Sequence, residues 1–174
     1  MKLFLIDIDL TKDLQTRLGI YAIFAIFLAL LQITIIPLIE VFESLPNLLL
    51  LFSIWIVLRE GKLVGFVSAF LLGILYDIFT LQVIGISSFS FLISALIASL
   101  FYRKDKEILV LTDNSFLFIV FISAISANLI QNIFYLRLSQ IDFWISFIYK
   151  WLGSTIYTTI LSLIPYYLLK RNKK

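Results

Sequence analysis

The chain has 174 residues, 61% hydrophobic and 14% charged, with a formal net charge of +3. Soluble domains carry about 25% charged residues, so lipid must be the solvent for most of this chain. It has no Cys and no His, which excludes disulfides, Cys-ligated zinc, iron–sulfur clusters and thiol nucleophiles and removes the commonest metal ligand and the usual general base.

The N-terminal stretch Leu3 to Arg17 mixes apolar and charged residues and reads as a segment lying along a membrane surface. The first span follows at about Leu18 to Ile39, free of Asp, Glu, Lys and Arg. At about 1.5 Å per helical residue it is long enough to cross roughly 30 Å of hydrocarbon. It reads as retained rather than as a cleaved signal, because Asp7, Asp9 and Asp13 precede it and no Ala-x-Ala site follows.

The second span, about Leu45 to Leu58, is short. It reaches only about 21 Å as a helix and must thin the bilayer, snorkel Arg59 or pack inside the bundle. Pro46 suits its first turn, where a missing N–H costs nothing. Further spans fall at about Lys62 to Phe79, Ile84 to Tyr102, Asn114 to Leu136, again without charge, and Phe143 to Leu169. Ile108 to Leu111 reads either as a surface segment or as an extension of a span.

Lys and Arg alternate in density from joint to joint. Lys2, Lys12 and Arg17, then Arg59 and Lys62, then Arg103, Lys104 and Lys106, then Lys170, Arg171, Lys173 and Lys174 fall on one side, and only Arg137 on the other. The positive-inside rule therefore puts both termini in the cytoplasm. The expectation is an all-α integral membrane protein, six helices in one bundle, forming a single polytopic domain over residues 1–174. The basic residues are scattered over every cytoplasmic joint, so their partners are lipid head groups of the bilayer and not nucleic acid.

Gly65, Ala69, Gly73 and Asp77 recur every four residues and lie along one ridge of the third span. Small residues at that spacing allow close backbone approach, either as a packing seam inside the bundle or as a seam for another protein. A carboxylate inside the membrane costs a few kcal/mol unless paired or hydrated. Asn128, Gln131 and Asn132 on the fifth span and Lys150 on the sixth come to the depth of Asp77. Asp77 and Lys150 are expected to pair, or to be bridged through these amides. Such a polar core either fixes helix order or forms a solute site in an outward-facing pocket, and Lys150 could also snorkel alone to the outer surface.

For catalysis there is no Gly-x-Ser-x-Gly, no metal motif and no phosphate-cradling loop. The chain therefore reads as no enzyme, with no catalytic residue, cofactor or metal. Trp144, Trp151, Tyr135 and Tyr149 near one boundary, and Trp55, Tyr102, Tyr166 and Tyr167 near the other, read as an aromatic belt.

The run Leu31-Gln32-Ile33-Thr34, then Leu45-Pro46-Asn47-Leu48-Leu49, then Gly65-Phe66 with Gly73 and Asp77, then Gly85, resembles the rod shape-determining protein MreD family. The resemblance extends to the hydrophobic layout and to the charged joint Arg59-Glu60-Gly61-Lys62. The family often has Asp after the proline where this chain has Asn47. The resemblance implies a non-enzymatic subunit of the bacterial cell-wall elongation machinery in the cytoplasmic (inner) membrane. Its implied partners are MreC directly and, in the same complex, MreB, RodA and a class B penicillin-binding transpeptidase. The family is also similar in predicted shape to the substrate-binding subunits of vitamin-uptake transporters of the ECF type, which keeps a solute-binding membrane subunit as the alternative.

Overall fold

The computed structural model describes residues 2–40, 44–102, 110–111, 113, 115–136 and 143–171. Arg103, Lys104, Lys106, Arg137, Lys173 and Lys174, and the side chains of Tyr135, Trp144 and Tyr149, lie outside the described residues; so do Ile108 and Leu109. Every regular element described is helical. They are α1 (Lys2–Thr34), a 3-10 turn (Ile36–Ile39), α2 (Leu48–Glu60), α3 (Lys62–Phe79), α4 (Ile86–Ser99), α5 (Ser115–Leu136), α6 (Phe143–Leu161) and α7 (Leu163–Arg171).

Three expectations are corrected. Leu3 to Arg17 is not a separate surface segment: α1 runs unbroken from Lys2 into the first span, because no Gly or Pro interrupts it before Gly19. That span leaves α-geometry at Thr34 and ends as a 3-10 turn containing Pro37, which has no N–H for an α-helical bond. The stretch read as a sixth span is two helices meeting at Ser162. Pro165 lacks the N–H that would bond the Leu161 carbonyl, and the Ser162 N–H closes α6 on Thr158 and Thr159.

α4 packs against α2, α3 and α5; α1 lies against α2 and α3, and α6 and α7 lie against α5. The short helices α2 and α4, 13 and 14 residues, take the interior. Leu49, Leu50, Ile54 and Val57 of α2 are fully buried, and α4 buries Ser87, Ser90, Ser94, Ala95 and Ala98, whose small side chains let neighbouring backbones close in. Among the described residues three helices are long and apolar enough to cross a membrane: Leu14–Thr34, Lys62–Phe79 and Ser115–Phe134. Their outward faces carry Ile23, Phe27, Leu63, Leu71 and Phe118, the arrangement expected where lipid replaces water.

Candidate functional site

A helix that begins inside a bundle leaves its first N–H groups without partners, and in lipid surroundings no water supplies them. α4 passes from an exposed Gly85 to the buried Ser87 and Ser88 within its first turn, so the Ser87 N–H is such a group. The N-cap of α4, Gly85, adopts the left-handed conformation (φ 105°) open to glycine and has no side chain with which to cap. Asp77 of α3 supplies the acceptor. Its Oδ2 takes the Gly85 N–H at 2.7 Å and its Oδ1 the Ser87 N–H at 3.3 Å. The carboxylate is fully buried, and two charge-assisted bonds at the positive end of α4 offset the cost of removing it from water. Gly73, one turn earlier, makes this reach possible, since a Cβ there would run into the Cα and N of Ser88.

The Gly65 to Gly73 ridge is filled by the chain itself. A Cβ on Gly65 would lie 2.6 Å from the Val57 Cγ2 of α2, and Ala69 between the two glycines is fully buried. The direct ion pair between Asp77 and Lys150 is not formed. Both carboxylate oxygens bond the start of α4, and Lys150 stands half-buried on α6, which packs on α5 rather than on α3. The amides of α5 reach the core in its place. Gln131 Nε2 donates to Ser87 Oγ at 3.1 Å, so Ser87 joins Asp77 to α5. Asn128 Nδ2 donates to Thr155 Oγ1 of α6 at 3.0 Å, and Asn132 Nδ2 turns back to the Asn128 carbonyl. Trp151, expected as a belt residue, ties α6 to α5 by donating to the Ile125 carbonyl at 2.9 Å.

A second helix start is held in the same way. Pro46 is not in the first turn of α2 but one residue before its N-cap, Asn47, whose Oδ1 accepts from the Leu50 N–H at 2.9 Å. Gln32 of α1 grips the segment from the other side. Its Oε1 accepts from Leu48 N–H and its Nε2 donates to the Pro46 carbonyl, both at 2.9 Å. α6 completes the clamp, with Ser154 Oγ donating to the Leu45 carbonyl at 2.6 Å and Thr158 Oγ1 accepting from the Asn47 N–H at 3.1 Å. Thr34 bonds only the Leu30 carbonyl of its own helix.

Away from this core, α1, α2 and the Leu161 to Leu168 region line an apolar trough of about 770 Å³. At one end of it Glu60, nearly buried, accepts from the Tyr21 hydroxyl at 2.5 Å and faces Arg17 and Arg59 at 3.5 and 3.6 Å. The Arg59 guanidinium lies 4.8 Å over the Trp55 ring. In the sequence Glu60 stands out only as part of the charged joint Arg59-Glu60-Gly61-Lys62, and neither it nor Tyr21 repeats at a spacing that marks a site. Among the described residues no three acidic side chains gather where a metal could sit.

The family model of rod shape-determining protein MreD matches residues 12–171. The chain belongs to the MreD family. No curated protein and no solved structure matches it significantly. Family membership makes this a protein of rod-shape determination and, with its long apolar helices, a membrane protein. In this MreD-family chain six of the residues that carry the resemblance, Gln32, Pro46, Asn47, Gly73, Asp77 and Gly85, fasten the starts of α2 and α4.

Proposed function

We propose that this chain is a non-enzymatic, multi-pass subunit of the bacterial cell-wall elongation machinery, with six membrane-crossing units and both termini in the cytoplasm. It binds MreC and is coupled through it to MreB, RodA and a class B penicillin-binding transpeptidase, and so to peptidoglycan synthesis. The observation that carries this reading is the state of the polar core. Gln32, Asp77, Asn128 and Gln131 each bond the chain's own backbone or side chains. They act as fasteners of a rigid body whose outer faces remain apolar for partner helices. A solute-binding subunit needs Asp77 and Asn128 unengaged in an outward-open pocket, so their bonding favours the scaffold over the transporter alternative.

The test is purification of the tagged chain in mild detergent from its own cells, with co-purifying proteins identified by mass spectrometry. Recovery of MreC with the wall-synthesis enzymes is expected. Recovery of an ATPase and a transporter coupling subunit in their place would overturn the reading.

A further inference from the structure

The turn joining α3 to α4, residues 80–85, carries no charge and leaves its apolar side chains uncovered: Leu81 is 93% exposed, and Val83 and Ile84 are each more than half exposed. Leu81 also holds φ 54°, a left-handed conformation that glycine or asparagine would take at less cost. We propose that this turn is a membrane anchor, with Leu81, Val83 and Ile84 embedded in the lipid of the leaflet remote from Lys62.

Length supports it, given the membrane-crossing reading of α3 on which this step rests. Arg17 lies 3.5 Å from Glu60, two residues before Lys62, so the charged ends of the α1 and α3 spans stand at one level. From there α1 rises to Thr34 and α3, 18 residues long, to Phe79, each by about 26 Å against roughly 30 Å of hydrocarbon. The tip of the α3–α4 hairpin therefore stops at the edge of the far head groups and not beyond them. It continues the apolar outer surface of Ile78 on α3 and Phe89 on α4, both exposed. The exposed amide of Gln82 marks the tip as lying at head-group depth and no deeper.

The backbone of the turn is closed in the way that lipid requires. The Thr80, Leu81, Gln82 and Ile86 N–H groups bond the carbonyls of Tyr76, Ile78, Asp77 and Val83 at 2.9 to 3.4 Å, and the Thr80 hydroxyl returns to Tyr76. Asp77 serves the turn twice, through its carbonyl to Gln82 and its carboxylate to Gly85. A protein partner is the weaker occupant, because three side chains on a convex tip present far less than the about 800 Å² that a stable interface takes up on each side.

The chain has no cysteine, so single thiols report directly. Leu81→Cys, Glu40→Cys and Lys62→Cys are each made in the full chain and given a charged, membrane-impermeant maleimide on both faces of the membrane. Rates are read in native membranes and in phosphatidylcholine vesicles holding the purified chain alone. Glu40 is exposed just past the 3-10 turn, at the same end of the bundle as the tip. In both settings Leu81→Cys is expected to react at least about tenfold more slowly than Glu40→Cys, since apolar surroundings suppress the thiolate, and all three should react alike once denatured. A Leu81→Cys as fast as Glu40→Cys places the tip in water and overturns the anchor. Slow reaction in native membranes with fast reaction in vesicles assigns the cover to a partner protein and overturns it equally. Should Leu81→Cys fail to fold, Ile84→Cys is read in its place. A slow Lys62→Cys faults the crossing of α3 and the anchor with it, whereas a fast Lys62→Cys beside a fast Leu81→Cys faults the anchor alone. The vesicle rates are independent of whether MreC co-purifies.

Discussion

Asp77 on α3 and Gly85 at the start of α4 are joined by a 2.7 Å hydrogen bond from the glycine N–H to the carboxylate. With the Ser87 N–H on its other oxygen, the buried acid caps the first turn of the next helix. Gln32 stands in the same relation to Leu48, so twice in this chain a polar side chain late in one helix caps the start of the next. The reason is physical: the first turns of two short interior helices carry backbone N–H groups into the bundle, Leu48 of α2 and Ser87 of α4, and the preceding helix carries the acceptor.

Removing that acceptor should be costly. Asp77→Ala removes the acceptor of the Gly85 N–H and leaves the Ser87 N–H buried without a partner, and is expected to lower stability by about 2 kcal/mol. Asp77→Asn keeps one acceptor and should fall between. Thermal unfolding of the purified variants in detergent gives the order, and equal midpoints for all three would sink the capping account.

Two glycines should respond in opposite senses to the same methyl group. Gly73→Ala places a Cβ against the Ser88 backbone, which has no flexible atom to give way, and overpacking of this kind costs about 1–3 kcal/mol. At Gly19 nothing lies within 4 Å, and Gly19→Ala should gain up to about 1 kcal/mol from helix propensity. Unfolding midpoints that move together would contradict the packing described for α3 and α4.

Gln32→Leu conserves volume while removing both bonds to the Pro46–Leu48 segment, and a loss of about 2 kcal/mol is expected. The effect should be local first. Hydrogen exchange measured by mass spectrometry should speed up in residues 44–50 before the rest of α2; uniform acceleration, or none, would argue that the clamp is incidental.

Asn47 offers a chemical contrast. Its Oδ1 caps α2 while its Nδ2 is buried without a hydrogen-bond partner. Asn47→Asp keeps the cap, adds a charge at the favourable helix end and deletes the unpartnered donor, so it should be at least as stable as the parent. Asn47→Ala should lose about 1 kcal/mol. An aspartate variant less stable than the alanine variant would show that burial of the charge dominates.

The bounds read for the third stretch, Lys62 to Phe79, are those of the helix α3, which Gly61 precedes and Thr80 ends. The half of α5 bearing Asn128 and Gln131 could also be read, since helical spacing puts them there whatever surrounds them. Their partners could not. Lys150 seemed the natural mate of Asp77 because charge and depth agreed, but depth says nothing of which helix stands between. The Ser154 and Thr158 contacts to Leu45 and Asn47 span more than a hundred residues and leave no local signal.

The sequence by itself determined the solvent, the apolar lengths and the small-residue ridge, because these depend on composition and on the fixed rise and period of a helix. The tertiary structure decided the rest: that Asp77 serves α4 and not Lys150, that Gln32 serves α2, that the ridge is filled from within, and that α1, α2 and α7 leave an apolar trough. Those outcomes depend on which helices become neighbours, and in lipid that is settled by close backbone approach and by the need to satisfy every buried N–H.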